Sequence, residues 1–278
     1  MNYDPGQRVA VENIPDFWER MTRAPSAFLA LDYDGTLAPF HAQRMLATPL
    51  SGVTELLERI IAKTPESVAI VSGRTIAEIE TLLPIANLIL IGSHGFEIKR
   101  PGKSIIRRDP KPIQIHGIEL ARQAAEHIGN ESLLEIKHAS LALHTRGMSP
   151  LEAQRHESQI SGSWNRIARA HDLEVRPFDG GIELRAVGWH KGDAVRELRD
   201  LLQADTFFTY IGDDETDEDV FRNLGNHGIG IRVGPVERFS AAQGRLKTIE
   251  HMRGFLSCWL ELAPEGYPKG GRAWISAD

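Results

Sequence analysis

The sequence predicts an α/β protein with a parallel-sheet core and a smaller α+β unit inserted into it. From residue 26 to about residue 98, short apolar runs alternate with segments of helical periodicity, and the same alternation resumes near residue 188. That alternation is typical of a Rossmann-like parallel sheet. Between the two stretches, two helical segments are each followed by a pair of short strand-like runs. This second pattern indicates antiparallel hairpins.

In the first stretch, apolar and β-branched runs predict strands, and apolar residues spaced three and four apart predict helices. The segment after the first strand, for example, places Val53, Leu56, Leu57 and Ile60 on one helical face. In chain order we expect a strand at 28–31, a helix at 50–61, a strand at 67–71, a helix at 76–83 and a strand at 88–91.

The middle of the chain has a different pattern of predicted elements. Residues 101–112 contain prolines, a glycine and many charges, as a linker does. In the insert we expect a helix at 113–128, strands at 132–137 and 140–145, a helix at 151–170, and strands at 173–176 and 181–185. The core then resumes with a helix that begins at Lys191, a strand at 207–211, a helix near 219–224 and a strand at 228–233.

These patterns set the expected organisation of the chain. We expect an N-terminal extension at 1–25 with no assigned role, a core formed by 26–108 and 187–262, an inserted α+β unit at 109–186, and a Gly- and Pro-containing tail at 263–278.

Composition narrows the partners. The 278 residues carry 32 basic and 38 acidic side chains, a formal net charge of −6, so the chain has no general attraction for nucleic acid or anionic membranes. The one cysteine, Cys258, excludes an intrachain disulfide framework and suits a reducing compartment. No apolar run approaches the roughly 18 residues of a membrane span, and residues 1–19 lack a signal-peptide pattern. We therefore expect a soluble cytoplasmic protein. We also expect a monomer, although no feature of the composition determines the oligomeric state.

The most informative stretch is L-A-L-D-Y-D-G-T-L, where an apolar run stops on two aspartates. A buried strand would carry Asp32 and Asp34 to its carboxyl end, the edge at which open parallel sheets bind ligands. Gly35 permits a tight turn, and Thr36 adds a hydroxyl beside the carboxylates. Two carboxylates there suit a divalent cation, and one of them could attack phosphorus. A surface Asp-Gly turn would give the same letters.

Three later motifs supply what such chemistry needs, each near the end of an apolar run or the start of a helix. Ser72 and Gly73 can offer a hydroxyl and N–H groups to a phosphate, although they also fit a helix cap. Lys191 stands in a first helical turn, where it opposes the helix dipole and suits an anionic ligand, unless it is simply solvated. Asp213 opens an acidic cluster, residues 213–219, which is unfavourable at a strand end without a cation.

Together these motifs, in this order from residue 32 to residue 219, resemble the haloacid dehalogenase superfamily of aspartate-dependent phosphohydrolases. The resemblance implies that Asp32 is the nucleophile, which forms an aspartyl-phosphate, and that Asp34 protonates the leaving oxygen and then activates water. The implied phosphate-binding residues are Thr36, Ser72, Gly73 and Lys191. The implied Mg²⁺ site consists of Asp32, Asp34 through its main-chain carbonyl, Asp213 and, at its margin, Asp214 and Asp217.

Polar side chains on the inserted strands are candidates for substrate binding. Glu135 and Lys137 alternate along one strand, His144 and Arg146 end the next, and Glu183 lies on the last. Such groups can recognise sugar hydroxyls, but the same alternation describes any strand with a solvated face. An insertion at this position resembles a type C2 cap of the superfamily, which implies a lid that selects the substrate.

The resemblance narrows to the trehalose-6-phosphate phosphatase family over nearly all of residues 26–260. It rests on D-x-D-G-T-L-A, G-S-H-G-F-E (92–97), L-E-I-K (134–137), H-T-R (144–146), G-I-E-L-R (181–185) and G-D-D-E-T-D-E (212–218). It implies that Glu135, Lys137 and Glu183 hold the distal glucose hydroxyls, and that His94 and Gly95 line the interface between the domains. The sequence departs from the family's frequent residues at Thr145, Arg185 and His190.

The expected function is Mg²⁺-dependent hydrolysis of the small molecule trehalose 6-phosphate through an aspartyl-phosphate. Three alternatives stay open. One is a related sugar phosphatase that acts on sucrose-phosphate or mannosyl-phosphoglycerate. Another is a phosphomutase of the same fold, which returns the phosphoryl group to a sugar. The third is a non-catalytic sugar-phosphate-binding domain, which is disfavoured because every costly charged group of the core motifs is present.

Overall fold

The computed structural model describes residues 8–178, 180–235, 239–266 and 268. The chain divides into two compact units. Unit 1 comprises residues 1–106 and 190–278, and unit 2 comprises residues 107–189. The insert expected at 109–186 falls within unit 2, and most of the tail expected at 263–278 lies outside the described residues.

The first part of unit 1 alternates strands and helices, as the periodicity predicts. Helix α2 begins three residues later than expected, because Gly52 adopts a left-handed conformation (φ 84°) just before it. Thr75 caps α3 in a capping box with Glu78, so the cap that could have explained Ser72 is supplied by another residue. The elements are α1 (Phe17–Arg23), β1 (Ala27–Leu31), α2 (Val53–Lys63), β2 (Val68–Val71), α3 (Ile76–Leu82), β3 (Ile89–Gly92), β4 (Glu97–Lys99) and β5 (Ile106–Arg107).

Unit 2 has two helices and one antiparallel sheet. Its elements are α4 (Pro112–His127), β6 (Leu134–Ile136), β7 (Ser140–His144), α5 (Pro150–Ala170), β8 (Leu173–Phe178) and β9 (Gly181–Ala186). The strand order is β6-β7-β9-β8, and every neighbouring pair is antiparallel. The buried Trp164 of α5 donates its indole N–H to the carbonyl of Ala121 in α4, at 3.1 Å, and so fixes the two helices together.

The chain then returns to unit 1. Helix α7 begins at Glu215 rather than near residue 219, because the Asp214 side chain accepts hydrogen bonds from the N–H groups of Thr216 and Asp217 and thereby caps the helix. The elements are α6 (Lys191–Asp200), β10 (Phe207–Gly212), α7 (Glu215–Leu224), β11 (Ile229–Val233), β12 (Gly244–Leu246) and α8 (His251–Leu262).

The sheet of unit 1 has the order β12-β11-β10-β1-β2-β3-β4-β5. β1 lies between β10 and β2 and is parallel to both. All five residues of β1 are buried, as expected of a strand covered on both faces. The carboxyl ends of β1, β2 and β10 therefore meet at one edge, where their following loops are neighbours. The predicted α/β fold class is confirmed, although β4, β5 and β12 escaped prediction because they are only two or three residues long.

The segment before Ser26 is part of the core of unit 1. Phe17 and Trp18 of α1 are buried, and both rings pack against Phe255 of α8, at centroid distances of 5.6 and 4.9 Å. Before α1 in the chain, Glu12 forms an ion pair with Arg245 of β12. The extension that received no role from the sequence thus covers one end of the hydrophobic core.

We expect Phe17→Ala to lower the free energy of unfolding by about 3–5 kcal/mol, because the substitution leaves a cavity among aromatic rings. Urea unfolding followed by circular dichroism measures this loss. Arg20→Ala, on the exposed side of the same helix, is the control and should change stability by less than about 0.5 kcal/mol. Equal stabilities of the two variants would contradict the packing role of α1.

Candidate active site

Two acidic loops meet at the carboxyl edge of the unit 1 sheet. Asp32 follows β1 directly, and Asp213 follows β10. The N–H of Asp32 donates to the carbonyl of Ile211 in β10, at 2.8 Å, so the strand pairing continues into the loops. Asp32, Asp213 and Asp217 each offer a carboxylate oxygen within 4.8 Å of the other two. The register between β1 and β10 thus brings together residues that lie 181 or more positions apart in the chain.

Lys191 lies at the centre of this cluster. Its Nζ donates to Asp32 Oδ1 at 2.8 Å and to Asp217 Oδ1 at 3.0 Å, and the lysine is 3% exposed. Lys191 is the first residue of α6, so its positive charge lies at the positive end of the helix dipole, as the sequence predicted. Two carboxylates compensate for it. His190 caps the same helix by accepting the N–H of Asp193, at 3.3 Å.

Asp217 organises the acidic loop from the first turn of α7. Its Oδ2 accepts the N–H groups of Asp213 and Asp214, at 2.8 and 3.1 Å, and its Oδ1 accepts the hydroxyl of Tyr210, at 2.5 Å. Sequence reasoning placed Asp217 just outside the metal site, whereas the structure groups its carboxylate with those of Asp32 and Asp213. The carboxylate of Asp214 instead caps α7.

The electrostatics of the cluster are unbalanced. Burial raises the pKa of Asp32 and Asp213 well above the ordinary value, and for Asp32 this outweighs the opposing charge of Lys191. Burial also raises the pKa of Asp217. Burial alone would lower the pKa of Lys191, but the carboxylates of Asp217, Asp32 and Asp214 together raise it well above its usual range. One lysine charge therefore faces four carboxyl groups, of which those of Asp32 and Asp217 are buried and those of Asp213 and Asp214 are half-buried.

A divalent cation fits this excess of negative charge. Carboxylate oxygens are the ligands that Mg²⁺ prefers, and Asp32, Asp213 and Asp217 each supply one within 4.8 Å of the others. Gly35 leaves the space that the cluster needs, because a Cβ on this residue would lie 2.1 Å from Asp213 Oδ2. Gly35 also has a φ of +75°, a conformation that glycine adopts readily.

Asp34 faces a different cation. Arg74 donates from Nε to Asp34 Oδ2 at 2.7 Å and from Nη2 to Oδ1 at 2.6 Å, a bidentate pair. Arg74 was not among the predicted site residues, and its only signal is that it follows Ser72 and Gly73 directly. The predicted metal contact of Asp34 was its main-chain carbonyl, which this ion pair does not involve.

The predicted phosphate-binding residues lie beside these carboxylates. Thr36 is fully buried, and its hydroxyl donates to Asp213 Oδ1 at 3.4 Å. The Ser72 hydroxyl accepts the N–H of Arg74 at 3.2 Å, and Gly73 lies against the imidazole ring of His94, which a Cβ would approach to 2.6 Å.

His94 and Gly95 form a tight turn after β3. His94 has φ 55° and ψ 27°, an uncommon conformation for a residue with a side chain, and its N–H donates to the carbonyl of Ser72 at 3.1 Å. Gly95 has a φ of +104°. The turn therefore places the His94 ring against Gly73, in the predicted phosphate-binding loop of unit 1. That His94 and Gly95 line an interface between domains stays a prediction.

In unit 2, four of the five predicted substrate-binding residues form one polar network. The cross-strand register aligns Glu135, Ala142 and Glu183 in a row. Lys137 Nζ donates to Glu183 Oε1 at 3.0 Å and lies 3.7 Å from Glu135 Oε2, which in turn contacts His144 Nε2 at 2.7 Å.

The position of Glu183 is unusual for a solvated face. It is only 6% exposed and accepts a further hydrogen bond from the Ser140 hydroxyl, at 2.7 Å. Arg146, the fifth predicted residue, follows β7 and packs against Gly180, where a Cβ would lie 2.7 Å from its Nε. Buried charges of this kind need the partners that the network supplies.

The fold and the site thus define an α/β protein with an inserted α+β unit and a lysine-centred aspartate cluster at the sheet edge. The family model described as trehalose-phosphatase matches residues 30–250. The chain belongs to the trehalose-phosphatase family. The predicted resemblance is confirmed.

Individual relatives give the same result. The chain is 28% identical over 253 residues to the trehalose-phosphate phosphatase of Mycobacterium marinum, which covers 86% of this chain and 63% of that protein. It is 31% identical over 216 residues to a bifunctional trehalose-6-phosphate synthase/phosphatase of Thermoproteus tenax, 77% of this chain and 29% of that one. The chain thus spans less than two thirds of both curated relatives.

Solved structures support the fold. The C-terminal domain of the C. albicans trehalose-6-phosphate phosphatase superimposes with a TM-score of 0.77 at 22% identity, over 92% of this chain and 99% of that one. A trehalose-6-phosphate phosphatase of Aspergillus fumigatus gives a TM-score of 0.63 at 23% identity, over 92% of this chain and 99% of that one.

We expect Mg²⁺ to bind more tightly at pH 8 than at pH 6. Because the pKa values of Asp32 and Asp213 are raised, lowering the pH protonates these carboxylates more readily than ordinary ones. Protonated carboxyl groups are poor metal ligands, so Mg²⁺ binding weakens. Calorimetric titration with MgCl₂ measures the affinity at both values. Asp213→Asn should weaken binding by about 10-fold or more, and the exposed Asp200→Asn should not. Unchanged affinity in Asp213→Asn would exclude this cluster as the cation site.

Gly35→Ala should abolish detectable Mg²⁺ binding, because its Cβ would displace the Asp213 carboxylate. Gly102→Ala is the matched control. Gly102 also has a positive φ (+67°), but nothing lies within 4 Å of its Cβ position. Both variants carry the backbone strain of about 1 kcal/mol, which thermal unfolding measures, and only Gly35→Ala carries the clash. Normal Mg²⁺ binding by Gly35→Ala would contradict this account.

Proposed function

We propose that the chain is a Mg²⁺-dependent phosphatase that hydrolyses trehalose 6-phosphate through an aspartyl-phosphate. The observation that carries the proposal is the buried contact of Lys191 with Asp32 and Asp217 at the carboxyl edge of the sheet. A phosphate monoester is a dianion, which a bare carboxylate would repel. Lys191 supplies a positive charge beside the attacking group, and that charge stabilises the transferring phosphoryl group.

In the first step, a carboxylate oxygen of Asp32 forms a bond to phosphorus as the bond from phosphorus to the sugar oxygen breaks. Asp34, two residues further along, gives its proton to that leaving oxygen, so neutral trehalose departs. Lys191, Thr36 and the Ser72 hydroxyl hold the phosphoryl oxygens. Mg²⁺, when bound at the aspartate cluster, would neutralise carboxylate charge and polarise the phosphoryl group.

In the second step, Asp34 is a carboxylate and takes a proton from water as the water oxygen attacks phosphorus. The bond between Asp32 and phosphorus breaks, and inorganic phosphate leaves with Asp32 restored. Two displacements replace one difficult attack by an unpositioned water molecule. Asp34 returns to its protonated form, so the cycle closes.

Unit 2 would select the sugar as the cap of the enzyme. Glu183 and Glu135 can accept hydrogen bonds from sugar hydroxyls, and Lys137 can donate them. The network that these residues form is consistent with that role, since it holds charged groups in fixed positions before a ligand arrives. Trehalose 6-phosphate is proposed as the substrate because the family is described as trehalose-phosphatase and because relatives of this chain are named as trehalose-phosphate and trehalose-6-phosphate phosphatases.

The surroundings of the reaction are also proposals. No helix within the described ranges has the length and apolarity to cross a membrane. The cytoplasmic location and the lack of a nucleic-acid or membrane partner stay predictions made from composition, and the monomer stays an expectation.

The proposal predicts phosphate release that depends on Mg²⁺ and prefers trehalose 6-phosphate. The rate of phosphate release from trehalose 6-phosphate would be compared with the rates from sucrose 6-phosphate, glucose 6-phosphate and p-nitrophenyl phosphate. The Asp32→Asn variant serves as the blank. EDTA and Asp32→Asn should each abolish release, because the first removes the cation and the second the nucleophile.

The other outcomes distinguish the alternatives. Equal turnover of all four esters would retain the phosphatase and exclude selection by unit 2. Release that strictly requires a sugar bisphosphate would indicate a phosphomutase. Binding of trehalose 6-phosphate without turnover would indicate a binding domain.

A further inference from the structure

We propose that Arg74 is a positioning residue for Asp34, and that the bidentate ion pair between them sets the orientation of the carboxyl group that transfers protons. This inference rests on the proposed function. The two hydrogen bonds, Nε to Oδ2 at 2.7 Å and Nη2 to Oδ1 at 2.6 Å, fix the plane of the Asp34 carboxylate. A single bond would leave that plane free to rotate.

Arg74 is itself held by the structure around it. Its N–H donates to the Ser72 hydroxyl at 3.2 Å, and its carbonyl accepts the N–H of Ser93 at 2.7 Å. The guanidinium carbon lies 5.4 Å from the ring centroid of Tyr33, whose hydroxyl donates to the carbonyl of Ala47 at 2.7 Å. The arginine is therefore a rigid support, and rigid supports are what precise proton transfer needs.

Arg74 stabilises the carboxylate that Asp34 becomes once it has given its proton to the leaving oxygen, and it leaves other lone pairs of Asp34 for the transferred proton. A carboxylate can accept hydrogen bonds at about four lone-pair positions, and Arg74 occupies two of them. The Asp34 side chain is 28% exposed, whereas that of Arg74 is 4% exposed. The partner that transfers protons thus keeps an open side, and the partner that positions it is buried.

Stability alone is a poor explanation for this pair. Burying a guanidinium carries a desolvation penalty that a salt bridge often fails to recover. The side chain also retains an unused donor, since Arg74 Nη1 is buried and has no hydrogen-bond partner among the described residues. A pair built for stability would satisfy that donor. This arrangement instead gives Asp34 a cation of its own, separate from the lysine that contacts Asp32.

The test combines two substitutions with two substrates. Trehalose 6-phosphate has an alkoxide leaving group that needs a proton, whereas p-nitrophenolate departs without one. Acid–base groups contribute about 10²–10⁴-fold to such reactions. We therefore expect Arg74→Gln to lower kcat for trehalose 6-phosphate by about 100-fold, with KM changed less than about 3-fold. Both substrates share the second step, which also uses Asp34, so the two losses are compared on the single-turnover rate of leaving-group release. On that rate the loss for p-nitrophenyl phosphate should be at least about 10-fold smaller.

A double substitution shows whether Arg74 acts through Asp34. In an Asp34→Asn background, Arg74→Gln should have less than about a 3-fold further effect, because its target is already gone. Arg74→Lys keeps the charge but not the bidentate geometry, so its kcat should lie between those of the wild type and Arg74→Gln. Arg44→Gln is the control. It removes an ion pair to Glu78 in the first turn of α3, the helix that follows Arg74, and it should leave both activities within about 2-fold.

Each result has a defined meaning. Thermal unfolding shows that the variants are folded, and if Arg74→Gln is not, Arg74→Lys carries the same comparison of substrates. Equal losses of the single-turnover rate for both substrates, or a full additional loss in the Asp34→Asn background, would overturn the inference and indicate that Arg74 acts on the phosphoryl group. A wild-type protein that hydrolyses neither ester would overturn the proposed function and this inference with it.

Discussion

The contact on which the site depends is the buried ammonium group of Lys191 between the carboxylates of Asp32 and Asp217. These residues lie 159 and 26 positions from the lysine in the chain, and only the parallel pairing of β1 with β10 makes them neighbours. Buried charges are tolerated when they are paired. The sheet register, the start of α6 and the first turn of α7 must therefore be correct at the same time for the cluster to form.

The D-x-D motif places its two carboxylates against different cations. Asp32 lies against Lys191, and Asp34 lies against Arg74. Tyr33 between them turns into the core, where it is fully buried and its ring lies beneath the guanidinium of Arg74. The single residue between the two aspartates thus allows each carboxylate to contact its own cation. The candidate nucleophile and the candidate proton donor therefore do not compete for one positive charge.

Unit 2 follows a related principle in a different setting. Its sheet carries Glu183 in a position that is almost closed to solvent, with Lys137 and the Ser140 hydroxyl as partners. A sheet that only had to pack would place apolar side chains there. Polar groups that are prearranged in this way lose little further freedom when a ligand binds, which suits recognition of a sugar with many hydroxyls.

The sequence by itself determined the α/β class, the inserted α+β unit and the motif residues Asp32, Lys191 and Asp213. Periodicity and strand ends are local signals, and the carboxyl ends of parallel strands converge whatever the details of the fold. Only the tertiary structure showed that Asp217 lies with Asp32 and Asp213, and that Arg74 forms a bidentate ion pair with Asp34. Which carboxylate meets which cation depends on contacts between segments far apart in the chain, and no local pattern encodes those distances. The packing of α1 could not be predicted for the same reason, because its partner α8 lies far away in the sequence.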